Sequence, residues 1–220
     1  MAPQVATVGH LTCVGATVEG TQEIIERFEK AGVESILALR GDAPKDNPDA
    51  LAQGEFKTAL ELVLQASLRS NIEVGVAAFP EGHPESEDFA QDILVLKLKQ
   101  DAGASFAVTQ LFYDVADYIN LRSKAEAAGV TMPILPGLMP ISNAKQVIRM
   151  ASLSGAKIPA ALLAKLEAAN SDEEAKQIGM QFTIEFGKAL LAAGAPGLHI
   201  FCLNKADAAS EVANGVGLVV

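Results

Sequence analysis

The stretch LKLKQDAGASFAVTQLFYD, Leu96–Asp114, decides the fold. A helix-forming run ends at Ala102, and Gly103 stops it. An apolar strand, Phe106–Phe112, follows at once. Polar groups gather at its far end: Thr109 and Gln110, then Tyr113 and Asp114. A helix that feeds a buried strand through a glycine, with a polar strand tip beyond, is the repeating step of a parallel α/β sheet.

The same punctuation occurs three times, in KAGVES, DAGASF and EAAGVT. In each, a small residue and a glycine close a helix before the next strand, because glycine takes the left-handed cap at little cost. Working outward, strands are expected at Gln4–Cys13, Ser35–Leu39, Ile72–Phe79, Phe106–Phe112, Met132–Leu135 and Leu198–Leu203. Helices are expected at Gly20–Ala31, Glu55–Ser70, Ser86–Ala102, Val115–Ala128, Asn143–Ser152, Ala160–Ala169, Asp172–Ala193 and Ala206–Asn214. The strands are apolar on both faces, as burial under helices requires. Six strands suit an open doubly wound sheet, whereas a (β/α)8 TIM barrel wants eight strands and ~250 residues. No linker or low-complexity segment interrupts residues 1–220, so a single domain is expected.

Composition narrows the partners. Seventeen basic and 27 acidic side chains leave a formal charge of −10, which disfavours nucleic acid and anionic membranes. No run approaches the ~18 apolar residues of a membrane span. MAPQVATVGH lacks the pattern of a signal peptide, so a cytoplasmic protein is expected. Two cysteines, Cys13 and Cys202, form neither a disulfide framework nor a metal motif and read as small buried hydrophobes.

Polar residues collect at the carboxyl end of nearly every strand: His10 and Thr12, then Arg40, Gly41 and Asp42, then Glu81, His83 and Glu85. Thr109 and Gln110, Ser142 and Asn143, and Asn204 and Lys205 continue the pattern. Ligands of α/β sheets and barrels sit at that end. Singly, each has a plainer explanation. Arg40 and Asp42 could be a surface ion pair contributing under ~1 kcal/mol. His10 could be a core histidine, and the turn with Glu81 and His83 could be solvated or could hold a metal. Taken together, the shared strand end favours a ligand site. No phosphate-cradling glycine motif, GxSxG, HExxH or CxxC is present, so a Rossmann nucleotide site, covalent hydrolysis and a zinc centre lose support.

Six motifs then occur in order: HLTC (His10–Cys13), ALRGD (Ala38–Asp42), FPEGHPE (Phe79–Glu85), the Leu96–Asp114 stretch, ILPGLMPISN (Ile134–Asn143) and LHIFCLNK (Leu198–Lys205). The chain resembles the methylenetetrahydrofolate reductases of one-carbon metabolism and methionine biosynthesis. That resemblance implies a (β/α)8 barrel holding FAD. NADH or NADPH reduces the flavin, which reduces 5,10-methylenetetrahydrofolate to 5-methyltetrahydrofolate. It implies that His10, Arg40, Gly41, Asp42, Phe79, His83, Asp92 and Lys99 line FAD. Arg40 and Lys99 suit the pyrophosphate, where cations offset its charge. Asp42 and Gln110 fall in the catalytic flavin–pterin region. Gln110, Gln146 and Lys205 bind folate or nicotinamide, and no metal is implied. Val95 and Leu98 stand where relatives often carry polar residues toward FAD.

The resemblance also implies two earlier βα units, one bearing a FEFFPPK-like strand whose glutamate is the general acid. Met1 stands nine residues before His10, so an incomplete barrel of about six strands is expected, without that glutamate. Such a chain would be part of a longer reductase, would pair with a homo-oligomeric or other partner subunit, or would close differently. The alternative function is a non-catalytic or partner-dependent flavin- and folate-binding remnant. A third reading is an unrelated metal-dependent lyase using His10, Asp42, Glu81 and His83.

Overall fold

The computed structural model describes residues 5–68 and 72–218. Gln4, where the first strand was expected to begin, and Ser70, where the second long helix was expected to end, lie outside the described residues. In chain order the elements are β1 (Val8–Thr12), α1 (Val18–Lys30), β2 (Ser35–Leu39), α2 (Ala50–Gln53), α3 (Ala59–Ala66), β3 (Glu73–Ala78), α4 (Phe89–Asp101) and β4 (Phe106–Thr109). They continue with α5 (Val115–Ala127), β5 (Ile134–Leu135), β6 (Gly137–Leu138), α6 (Ala144–Ser154), α7 (Ala160–Glu167), α8 (Asp172–Ala192), β7 (His199–Ile200) and α9 (Ala206–Gly215). Five strands form one sheet in the order β1-β2-β3-β4-β5, and β6 pairs with β7. This is the α/β class of an incomplete (β/α)8 barrel.

Backbone contacts divide the chain into two compact units. One comprises Met1–Ala78, Ile93–Ala107 and Ala127–Pro133; the other comprises Phe79–Asp92, Val108–Glu126 and Ile134–Val220.

In the first unit, β1 and β3 flank β2 in parallel, with Gly9 opposite Ile36 and Leu11 opposite Ala38, then Ile36 opposite Val74 and Ala38 opposite Val76. Those β2 and β3 residues are buried. Helix α1 covers that face closely: a Cβ on Gly9 would come 2.6 Å from the Phe28 ring. Residues Val8, His10 and Thr12 alternate onto the other face of β1 and are exposed there. His10 is therefore no buried core histidine.

Local signals explain the helix ends. Gly32, Gly103 and Gly129 each have positive φ, at 77°, 113° and 81°, at the three repeated punctuation points. Helix α3 starts at Ala59 and not near Glu55 because Thr58 and Glu61 close a capping box. Glu55 instead accepts from Val18 N at 2.6 Å. Two backbone N–H donors, from Lys57 and Thr58, hold the Glu61 carboxyl below the usual glutamate range.

In the second unit the expected strand count changes. The Met132–Leu135 expectation shortens to β5; Pro136, which has no N–H, follows it, and β6 beyond is a strand that was not expected, giving seven short strands among the described residues. Gly137 and Leu138 of β6 pair with His199 and Ile200. The Tyr118 hydroxyl donates to Ile134 O at 2.9 Å, and the Phe112 ring packs edge-on against Phe186. Ile141, Val147, Leu162, Leu166 and Ala175 form a further apolar cluster with Tyr113. Among the described residues no helix is long and apolar enough to cross a membrane.

Candidate functional site

In the first unit, the ends of β1 and β2 meet at Cys13. Its N–H donates to Leu39 O and Arg40 O, both at 3.1 Å, and its thiol donates to Leu39 O at 3.4 Å and Thr58 O at 3.3 Å. Burial, followed by the Glu61 charge, pushes the thiol pKa up to about 11, while Arg40 and Lys99 pull it down. The thiol therefore stays protonated at neutral pH and is no nucleophile. Arg40 and Lys99 thus both favour the charged form of the thiol. Lys99 is only 8% exposed, and its Nζ stands 3.3 Å from Ala77 O. Gly41 has φ of +77°, and a Cβ there would come 2.9 Å from Thr12 Cβ, so the turn itself requires glycine. Asp42, just beyond, is exposed. On α4, Val95 is half-buried and Leu98 is exposed.

In the second unit, Phe79 and His83 form an edge-to-face pair with centroids 4.7 Å apart. Asp92, in the first turn of α4, organises their loop. It accepts from His83 N at 3.0 Å and from Ser86 Oγ at 2.6 Å. The Glu85 N–H donates to His83 Nδ1 at 3.1 Å, which leaves Nε2 to carry the proton of the neutral ring. Both Asp92 oxygens are thus engaged by the loop, so its visible work is to shape the Phe79–His83 platform. Gln110 is half-buried at the end of β4, where its Oε1 accepts from Leu111 N at 2.8 Å. Its Nε2 end is the part left to face a ligand.

A cavity of about 180 Å³ in the second unit brings Gln146 and Lys205 together. Buried Met139, Ile141 and Met180 form apolar walls, and Ser142, Gln146, Lys176 and Lys205 supply polar groups. Gln146 is largely committed internally. Its N–H donates to the Asn143 cap at 2.9 Å, its Oε1 accepts from Ser142 N and Oγ at 2.6 and 2.7 Å, and its Nε2 donates to Pro140 O at 3.2 Å. It shapes the cavity wall more than it offers free groups. Lys176 was not singled out from the sequence. Its spacing of four from Met180 on α8 puts both on one helical face, and that was the available signal. Leu203 and Asn204 adopt positive φ, 48° and 62°, in the turn that delivers Lys205.

Three groupings result: Arg40 with Lys99 around Cys13, Phe79 with His83 and Asp92 in one bonded loop, and Gln146 with Lys205 at one cavity. His10 and Asp42 stand exposed in the first unit, and Gln110 occupies its own turn in the second. Among the described residues no group of three or more His, Cys, Asp or Glu side chains is arranged to hold a metal ion.

The methylenetetrahydrofolate reductase family profile matches residues 2–217. Methylenetetrahydrofolate reductase (NADH) 1 of Arabidopsis thaliana is 36% identical over 228 residues, covering 98% of this chain and 38% of that protein. The 5,10-methylenetetrahydrofolate reductase of Escherichia coli K12 is 33% identical over 212 residues, covering 95% of this chain and 69% of that protein. The chain thus spans under two-fifths of the plant relative's length. A crystal structure of oxaloacetate acetylhydrolase superposes with a TM-score of 0.50 at 11% identity, over 93% of this chain and 56% of that one, and shares the fold alone.

Proposed function

Because the chain belongs to the methylenetetrahydrofolate reductase family, we propose that it takes part in flavin-dependent reduction of 5,10-methylenetetrahydrofolate to 5-methyltetrahydrofolate, with NADH or NADPH as hydride source. The observation that carries this reading is Lys99, 8% exposed with its ammonium 3.3 Å from Ala77 O of β3, together with Arg40 just past the end of the neighbouring β2. A nearly buried lysine beside the end of β3 and an arginine just past the end of β2 are the kind of donors that a diphosphate needs. The chemistry of the site therefore fits FAD, which when bound supplies a two-electron carrier between nicotinamide and folate.

In this reading Arg40 and Lys99 bind the diphosphate, and His10 and Gly41 line the same ligand. Phe79 and His83 offer an aromatic edge and an imidazole N–H, held in place by Asp92. Asp42 and Gln110 read the pterin edge, whose adjacent donors and acceptors match a carboxylate and an amide. Lys205 and Lys176 present cations to the carboxylate end of the folate. Their cavity is smaller than the ~300–1,000 Å³ that engulfs a whole drug-sized ligand, which suits one end of a larger molecule.

A second reading is a flavin- and folate-binding chain that does not itself turn over folate. Folate reduction without a proton donor loses about 10²–10⁴-fold, whereas hydride transfer to flavin depends mainly on positioning. Purified protein tests both. Flavin absorbance, NAD(P)H oxidation and methyltetrahydrofolate formation together support the first reading. The first two without the third support the second. Colourless protein that takes up no FAD refutes both.

A further inference from the structure

Ser86 stands just before α4, close to where a serine ordinarily caps a helix. It does not cap this one. Asp88 Oδ1 accepts from Gln91 N at 2.9 Å, and Gln91 Oε1 reaches back to accept from Glu87 N at 2.7 Å, so Asp88 and Gln91 do the capping. The Ser86 hydroxyl donates instead to Asp92 Oδ1 at 2.6 Å. An O–H donor on a carboxylate at that length is a strong, charge-assisted hydrogen bond.

The bond acts on the other side of the same loop. Asp92 Oδ2 accepts from the His83 N–H at 3.0 Å, and the Ser86 N–H donates to His83 O at 3.0 Å. The Glu85 N–H donates to His83 Nδ1 at 3.1 Å. The amide, the carbonyl and one ring nitrogen of His83 are thus engaged within the loop. Because Nδ1 accepts, the ring N–H sits on Nε2, the polar atom of His83 left to meet a ligand. Gly82, at φ +90°, brings the backbone so near that a Cβ there would lie 3.4 Å from Asp92 Oδ2.

Ser86, Asp92, His83 and Phe79 are all half-buried, so hydrogen bonds set the shape of this loop more than core packing does. The terminal torsion of an aspartate is broad, with no sharp staggered wells. A carboxylate held at one oxygen therefore turns easily. Held at both oxygens, by Ser86 Oγ on one and the His83 N–H on the other, it has a fixed plane, and His83 has a fixed place.

We propose that Ser86 is a positioning residue for the dinucleotide: by fixing the Asp92 carboxylate it fixes His83, whose Nε2–H is then presented to an acceptor oxygen of the ligand. The proposal rests on the dinucleotide reading of the Phe79–His83 loop. Ser86 itself touches no ligand atom in this scheme. Its effect on binding passes through Asp92.

The test is a double-mutant cycle on the full chain, read by FAD titration with flavin fluorescence. Ser86→Ala should weaken FAD binding about tenfold, the size of one lost charge-assisted hydrogen bond. Ser86→Thr keeps the hydroxyl and should restore wild-type binding. In an Asp92→Ala background, Ser86→Ala should weaken binding no further. Two readouts of the apoprotein follow the loop itself. Long-range proton–nitrogen spectra should place the His83 ring proton on Nε2 in wild type and Ser86→Thr, and show mixed tautomers in Ser86→Ala. Exchange of the His83 amide should be faster in Ser86→Ala than in the other two. Wild-type affinity in Ser86→Ala, or an equal loss with and without the Asp92 carboxylate, overturns the proposal. If wild type takes up no FAD, the dinucleotide reading fails instead, and the His83 tautomer and amide exchange decide alone whether Ser86 holds the loop.

Discussion

Substitution of Lys99 by methionine probes the cation pair most directly. The change keeps the length of the stem and removes the charge. In the structure the ammonium is 3.3 Å from Ala77 O on a residue only 8% exposed. A hydrogen bond to a charged group contributes ~1.5–3 kcal/mol, and 1.4 kcal/mol is a factor of ten, so FAD affinity should fall about 10- to 150-fold. Stability should respond differently. Removing a buried charge relieves a desolvation penalty of several kcal/mol. Depriving Ala77 O of a partner costs ~1–3 kcal/mol, so the two nearly offset. The apoprotein's Tm should therefore stay within about 8 °C of wild type. Fluorescence titration of FAD and calorimetry of the apoprotein measure the two quantities separately. An unchanged Kd, or a loss of binding fully explained by an unfolded variant, refutes the pyrophosphate role.

Asp42→Asn should slow methyltetrahydrofolate formation by more than it weakens FAD binding; loss of flavin with folate kinetics intact removes Asp42 from the pterin region. Lys205→Ala and Lys176→Ala should each raise the folate KM with kcat nearly unchanged, the signature of uniform binding. A fall in kcat at constant KM contradicts that placement of the folate tail. Thr58→Ala breaks the capping box at α3 and should cost about 1 kcal/mol in a urea melt. An equal stability would mean that the box contributes nothing beyond solvent.

Much of the fold was legible from local pattern. The Ser35–Leu39 strand was read to the residue, and the helices of the Leu96–Asp114 stretch and Val115–Ala128 were placed within a few residues. Apolar periodicity and glycine stops act over a few neighbours, so they are visible without coordinates. The misses arose where a short-range competitor intervened. The Thr58 box moved the start of α3, the two-residue β6 just past Pro136 is too short to read from the sequence, and α2 is a single turn too short to show a period. Candidate residues were likewise legible as a set of types at strand ends, but not their engagements. Nothing in the sequence indicated that Asp92 and Gln146 spend their oxygens on their own loops, or that Lys176 joins Lys205 at one cavity.

By itself the sequence settled most of the longer helix and strand segments, their parallel α/β arrangement, and which family the six motifs belong to. Those properties depend on side-chain spacing along the chain and on motif order. Only the tertiary structure decided what each polar group has left to offer. The Cys13 thiol is kept protonated by burial and by Glu61, 48 positions away, and the Glu81 carboxylate is anchored by an N–H 76 positions away. Such pairings arise when packing brings distant backbone together, and desolvation then fixes the charge each group can carry.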